Sequence, residues 1–230
     1  MNICIKKLLA GAKSAKGLAV IIDVFRAFST CCYIFANNAK NIIVTDNIEI
    51  AFKLKQNHPE YFLIGERDGK KIKNFDFGNS PYEIQEVDFT ERTVILTTSA
   101  GTKGLINASN AEKIITGSFV NADAIIKYIK NGKFKNISLV AMGNNGKVMN
   151  REDLLCARYL KKKLQNKKVN YDKDKLESIL KQNAGSRFFN RSIKDSYPQD
   201  FYLSIDINKF DFVVEAERIK KDIFLLKNTN

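Results

Sequence analysis

The chain has a single histidine, His58, in a polar stretch before Pro59 and far from every other polar cluster. A phosphohistidine mechanism or a Ser-His-Asp triad therefore has little to build on. The four cysteines, Cys4, Cys31, Cys32 and Cys156, include no Cys-x-x-Cys pair, which argues against zinc. Adjacent Cys31 and Cys32 make poor disulfide partners, and none of the four is followed by an arginine six positions on, as a thiol phosphatase loop requires. Free thiols in a reducing cytoplasm are the expectation. No apolar run approaches the roughly 20 residues of a membrane helix. The first nine residues lack the apolar stretch and cleavage site of a signal peptide. There is no Walker A loop, and no Gly-x-Gly-x-x-Gly follows the first buried strand, which counts against a nucleotide-binding or methyltransferase sheet. A repeat and a proline- or glycine-rich linker are also lacking.

Acidic residues are scarce relative to basic ones: 38 Lys and Arg against 25 Asp and Glu, a net charge of +13. Most of the excess lies in the second half, with a run through Arg158, Lys161, Lys162, Lys163, Lys167 and Lys168. Such runs are usually solvated helix faces. Neither an aromatic-rich nucleic-acid signature nor a helix-turn-helix accompanies this one, so no nucleic acid and no membrane partner is expected. A positive field would still draw in a small polyanion.

What is present is an alternation of short apolar, β-branched runs with amphipathic segments. Leu18–Asp23 reads as a strand apolar on both faces, as in a parallel sheet. Helix then follows over 26–37, strand over 41–45, helix over 47–56 with Asp46 as N-cap, and strand over 61–64. A long polar loop runs from Gly65 to Pro81. Further strands are expected at 93–97, 113–116 and 137–141, with helices at 101–108, 119–130 and 151–164. The pattern weakens after Asn166, where a helix at 174–181 and late strands at 211–215 and 223–226 are expected. The fold class is α/β: a mostly parallel or mixed central sheet with helices on both faces, in three layers. The 230 residues form one domain, with 166–230 an extension packing on the sheet edge or over the site.

Polar clusters follow the strands: Asp23-Val24-Phe25-Arg26, Gly65-Glu66-Arg67, Thr97 to Thr102, Gly117-Ser118 and Gly143-Asn144-Asn145-Gly146. Ligands bind beyond the carboxyl ends of strands in open α/β sheets. Hydroxyls and Gly101 at a helix start suit an anion, and the alternative is an ordinary capped turn. Asp23 suits a hard cation, a nucleophile or an N-cap. It is not a dehalogenase-type Asp-x-Asp, because Phe25 stands at the second position. With 30 lysines and only 8 arginines, Arg26, Arg67 and Arg151 stand out as places where a fork-shaped contact is wanted. Glu66, Asp68, Asp76, Glu152 and Asp153 supply further acids.

Taken in order, Val20 to Ala27, Gly65-Glu66-Arg67-Asp68-Gly69, Phe75 to Pro81, Thr97 to Thr102, Gly117 to Ala122 and Glu152-Asp153 resemble the 2-phosphosulfolactate phosphatase family. The likeness is firm over about residues 18–160. Ala100, Asn74 and Arg158 depart from its usual pattern. The resemblance implies a Mg²⁺-dependent hydrolase that converts 2-phospho-3-sulfolactate, or a similar phosphorylated hydroxy acid, to 3-sulfolactate and phosphate in coenzyme M biosynthesis. On that basis Asp23, Arg26 and Glu66 are the catalytic candidates, and Asp23 and Glu66 with Asp76 or Asp153 the metal ligands. Arg26 and the backbone of Thr98, Ser99, Gly101 and Thr102 would cradle phosphate. Asn79, Ser80 and Asn121 would orient the substrate, and Arg67, aided by Lys70 or Lys71, would meet its sulfonate or carboxylate. Direct attack by water and a phosphoenzyme on Asp23 both stay open, as do self-association and a non-catalytic phosphate- or nucleotide-binding α/β protein.

Overall fold

The computed structural model describes residues 1–169 and 172–229. Among the described residues ten strands form one sheet: β1 (Asn2–Lys7), β2 (Leu18–Ile22), β3 (Asn41–Val44), β4 (Phe62–Arg67), β5 (Lys70–Lys71), β6 (Thr93–Thr97), β7 (Lys113–Gly117), β8 (Asn136–Ala141), β9 (Val213–Lys220) and β10 (Ile223–Thr229). The α-helices among the described residues are α1 (Leu8–Lys13), α2 (Ala27–Ala36), α3 (Ile48–Asn57), α4 (Pro81–Ile84), α5 (Gly101–Asn107), α6 (Ala122–Asn131), α7 (Arg151–Leu164), α8 (Lys173–Lys181) and α9 (Pro198–Ser204). The α/β class and the main elements agree with the sequence pattern. Helix α3 is capped by Asn47 rather than Asp46, because the Asn47 side chain accepts the N–H groups of Glu49 and Ile50. The short β1, α1, α4 and α9 carry too little periodicity to be read beforehand.

The sheet is mixed, in the order β1-β8-β2-β7-β9-β10-β3-β6-β4-β5. The strands β1, β8, β2 and β7 pair in parallel, as do β3, β6 and β4. Between the two groups sits the antiparallel β9–β10 hairpin, which pairs with β7 on one side and β3 on the other. The C-terminal strands therefore fill the middle of the sheet instead of packing on its edge. The part of the extension that reaches the crevice is the 3₁₀ turn Ser186–Phe189, between α8 and α9, through Arg187.

This topology reverses the two parallel groups relative to each other. Twist offsets much of the reversal: at roughly 20–25° per step, the five steps from β2 to β6 accumulate about 100–125°. The carboxyl ends of β2, β4 and β6 converge as a result. Helix α5, which follows β6, lies on β2, where a Cβ at Gly104 would come within 2.7 Å of Ile21 Cγ2 and 2.6 Å of Met142 Sδ.

Both faces of β2 are covered. Ala19 and Ile21 join one apolar cluster with Phe28, Cys31, Cys32 and Phe35 of α2 and Leu105 of α5. Leu18, Val20 and Ile22 join the other, with Ile125 and Ile129 of α6 and Leu155, Cys156, Tyr159 and Leu160 of α7. Burial on alternate sides accounts for the unbroken apolar run that marked this strand. Helix α7 buries the stripe Leu155, Cys156, Tyr159, Leu160 and Leu164 and ends in Lys161, Lys162 and Lys163, where positive charge complements the helix dipole. Leu176, Leu180, Phe188, Phe201 and Ile205 bind the C-terminal region into the second cluster.

A hairpin in the centre of a sheet cannot be dispensable. Truncation after Phe212 is expected to abolish cooperative thermal unfolding followed by circular dichroism. A truncated chain that melts like the full one would contradict the placement of β9 and β10.

Candidate active site

The converging strand ends enclose a cavity of about 170 Å³, lined by Asp23, Phe25, Arg26, Glu66, Asp68, Gly69, Asn79, Ser99, Ala100, Gly143, Asn144, Asn145, Asn150 and Arg187. Asp23 stands just beyond β2, Glu66 near the end of β4, and Ser99 and Ala100 at the turn from β6 into α5. The amide and hydroxyl donors at that turn do bind anions, and the anions are carboxylates of the protein. Glu66 Oε1 accepts the Ser99 N–H at 2.6 Å, while Oε2 accepts the Ser99 hydroxyl at 3.0 Å and the Gly69 N–H at 2.7 Å. Asp23 accepts the Ala27 N–H at 3.4 Å and a backbone hydrogen bond from Gly101. Gly101 suits this approach, because a Cβ there would lie 2.9 Å from Asp23 Oδ2 and 2.9 Å from the Ala27 Cβ.

Two acids so placed repel each other. Burial first, and the neighbouring Glu66 second, push the Asp23 carboxyl up to about 6, against the pull of the Ala27 and Gly101 N–H groups and the Arg187 charge. Behind them, burial pushes Glu152 up to about 7. Its Oε1 accepts from Asn150 Nδ2 at 3.2 Å, and its buried Oε2 has no hydrogen-bond partner. Asn79 Oδ1 is likewise buried without a partner. Both oxygens lack a partner that the protein itself supplies.

Other candidate residues sit around the cavity in different ways. Arg26 lines it, but its guanidinium is only 3% exposed and tied down: Nη1 donates to Asp200 Oδ2 at 2.5 Å and to the Asp195 carbonyl at 2.9 Å. Ser80 supports that ion pair from behind, donating to Asp200 Oδ1 at 2.7 Å while capping α4. Thr98 and Thr102 are turned on each other, with their hydroxyl oxygens 2.9 Å apart. Asn121 accepts the Ser118 N–H at 3.2 Å and closes a capping box after β7. None of Ser80, Thr98, Thr102 or Asn121 lines the cavity.

Alternation along β4 separates Glu66 from Arg67. Glu66 faces the cavity, whereas Arg67 donates to the carbonyls of Glu66 and Asp46 and borders a separate groove at the start of α3. Asp76 is also remote: it accepts the Leu63 N–H at 2.7 Å and faces Lys55 at 3.7 Å. Asp153 is buried with both oxygens engaged, by the N–H groups of Val24 and Gly143 at 2.8 Å each, so it ties the two loops beside the cavity together. Of the four acids suggested as metal ligands, the cavity wall contains Asp23 and Glu66. Among the described residues, no group of three His, Cys, Asp or Glu side chains is placed to hold a metal.

Arg187 and Asn150 were not foreseen. Arg187 lies on the 3₁₀ turn between α8 and α9, far from any strand end, so the pattern that located the other residues could not reach it. Its rarity in a lysine-dominated chain was the available signal.

The family profile described as 2-phosphosulpholactate phosphatase matches residues 3–218. The chain belongs to that family. Relatives named probable 2-phosphosulfolactate phosphatase include one from Caldicellulosiruptor saccharolyticus, 40% identical over 61% of this chain and 60% of its own length. Another, from Clostridium perfringens, is 38% identical over 69% of this chain and 66% of its own length. A third, from Caldanaerobacter subterraneus, is 30% identical over 84% of this chain and 85% of its own length. The stretch matched to the first two thus spans slightly under two thirds of each. The profile reaches β9 and includes Arg187 and Asp200, so the family resemblance extends beyond the strand-end motifs into the C-terminal region.

Glu152 offers a test of the burial argument. Its folded-state carboxyl holds a proton up to about pH 7, while in the unfolded chain it releases it near the ordinary value of 4.5. The stability this contributes is fully present below about pH 4.5 and is lost as pH rises through about 7. In the presence of chelator, Glu152→Gln should therefore raise Tm by several degrees at pH 8 and leave it near the wild-type value at pH 4.5. An equal shift at both pH values would contradict the placement of Glu152.

Proposed function

We propose that the chain hydrolyses the phosphate ester of a small anionic hydroxy acid, with 2-phospho-3-sulfolactate as the first candidate, giving 3-sulfolactate and inorganic phosphate. The observation that carries this reading is the joining, in one polar cavity of about 170 Å³, of two buried carboxylates with two guanidinium groups. The family membership supports it, and so do the names of the relatives. Three buried free cysteines, Cys31, Cys32 and Cys156, suit a reducing cytoplasm. Among the described residues no helix is long and apolar enough to cross a membrane.

A divalent cation, Mg²⁺ on family grounds, fits the donor set. The Asp23 and Glu66 carboxylates repel each other without a cation between them, and Asn79 Oδ1 is an unpaired hard oxygen donor in the same wall. Mg²⁺ commonly keeps several waters and takes only one or two protein carboxylates together with substrate phosphate oxygens, so a closed protein cage is not required. Asp23 would be the main protein ligand, with Asn79 beside it. Glu66, with its oxygens engaged by Ser99 and Gly69, would act more through its charge. Bound there, the cation would neutralise developing charge on the phosphoryl oxygens.

The protein's own part is placement. The amide groups of Ala27, Gly101, Ser99 and Gly69 hold the two acids in fixed positions before substrate arrives, and phosphoryl transfer depends mostly on such positioning and charge neutralisation. Overall, one P–O bond forms to an oxygen from water and the ester P–O bond breaks. One proton from that water passes to the departing alkoxide, giving the hydroxy acid and phosphate. Asp23 would either hold the cation, which would supply positive charge beside the phosphoryl oxygens, or attack phosphorus itself with loss of the alkoxide, water then hydrolysing the acyl phosphate. The amides of Asn144, Asn145 and Asn150 line the wall and supply neutral hydrogen-bonding groups to the rest of the substrate.

Phosphate release from a panel of small phosphorylated carboxylates and sulfonates, with Mg²⁺ and with chelator, tests this function. Wild-type protein should turn over the sulfonated ester in Mg²⁺ and stop in chelator. Asp23→Asn should lose on the order of 10²–10³-fold or more in kcat with its melting curve intact. Binding of phosphate esters without release would instead support a non-catalytic anion-binding protein.

A further inference from the structure

We infer that Arg187 is the guanidinium that grips the phosphoryl group, and that Arg26 is a support for the C-terminal segment presenting it. This rests on the hydrolase reading for the identity of the anion, and on the geometry of the two arginines for the assignment. They are the cationic side chains in the cavity wall, and their circumstances differ. Arg26 is already neutralised by Asp200, whose carboxylate is also held by the Ser80 hydroxyl and by the Tyr82 N–H at 3.0 Å. Substrate would have to compete with that buried pair.

Arg187 makes no ion pair with any described residue. Among the described residues its side chain makes one hydrogen bond, from Nη2 to the Phe25 carbonyl at 2.9 Å. A guanidinium has five N–H groups, so most of its fork is open to a ligand. The carboxylates of Glu152, Asp23 and Glu66 act on it only across space, while burial and the like charge of Arg26 make its charged form less comfortable than in water. A doubly charged phosphoryl group relieves that strain and leaves the Arg26–Asp200 pair undisturbed.

The mount is rigid. The Arg187 guanidinium lies 4.8 Å from the centre of the Phe188 ring, and Phe188 packs edge-on against Phe25 at 5.1 Å between centres. Stacking and the Phe25 carbonyl together fix the plane of the fork. Gly69 stands opposite, where a Cβ would meet Arg187 Nη1 in ordinary contact at 3.9 Å. Asp23 and Arg187 line the same cavity, so a phosphoryl group bound in it is shared between the carboxylate and the fork.

The test uses the full chain and two readouts. Inorganic phosphate binding is measured by calorimetry, and phosphate release from 2-phospho-3-sulfolactate by steady-state kinetics, for wild type, Arg187→Gln and Arg187→Lys. Arg187→Gln should weaken phosphate binding and lower kcat/KM each by roughly 10–100-fold, as expected for a lost charged hydrogen-bonding partner. Arg187→Lys should recover part of the binding, because charge returns without the fork. Tm within a few degrees of wild type confirms that the fold is kept. Unchanged phosphate affinity in Arg187→Gln would overturn the assignment, even with hydrolysis intact in the wild type. Arginine-dependent phosphate binding in a wild type that releases no phosphate would sustain the assignment and sink the hydrolase reading instead.

Discussion

Two buried carboxylates pressed against one helix start are the constraint on which the rest of this molecule turns. Asp23 and Glu66 repel each other, and burial removes the water that would screen them. They are held in place by backbone N–H groups of the β6–α5 turn and its neighbours, and an arginine that arrives from far along the chain lines the same cavity. The raised proton affinity of Asp23 expresses the cost of that arrangement. A site that keeps negative charge in so dry a place is prepared for positive charge, whether from a cation or from guanidinium groups.

The fold accounts for how these groups come to share a cavity. Asp23 belongs to one parallel group of strands, Glu66 and Ser99 to the other, and the two groups run in opposite senses across the central β9–β10 hairpin. Accumulated twist brings their carboxyl ends back toward each other, and α5 crosses from one group to lie on the other. The C-terminal region contributes twice. Its strands join the halves of the sheet, and its aromatic residues Phe188 and Phe201 carry Arg187 and Asp200 to the cavity rim and to Arg26.

Parts of this were legible beforehand for definite reasons. Leu18 to Ile22 is apolar on both faces because both are covered, so the strand and the acid at its end could be read directly. Glu66 could be read in the same way. Its neighbour Arg67 could not be placed, since one residue along a strand changes the side it faces. The hydroxyls of Thr98 and Thr102 signalled a helix start but not that they would satisfy each other. Asp153 signalled an acid near the crevice but not that two loop amides would engage both its oxygens. The central position of β9 and β10, and the reach of Arg187, depend on pairings between distant segments that no local pattern encodes. Most of the parallel framework and the acidic half of the cavity were therefore legible, while the arginine that faces that half was not.

The most direct measurement of the account is a calorimetric titration of chelator-treated protein with Mg²⁺ near pH 7.5, repeated on Asp23→Asn and Glu66→Gln. If opposed carboxylates create the site, wild type binds one cation and gains thermal stability from it, Asp23→Asn loses both, and Glu66→Gln binds more weakly. Cation binding of equal strength in all three proteins would contradict the claim that these two acids define the site.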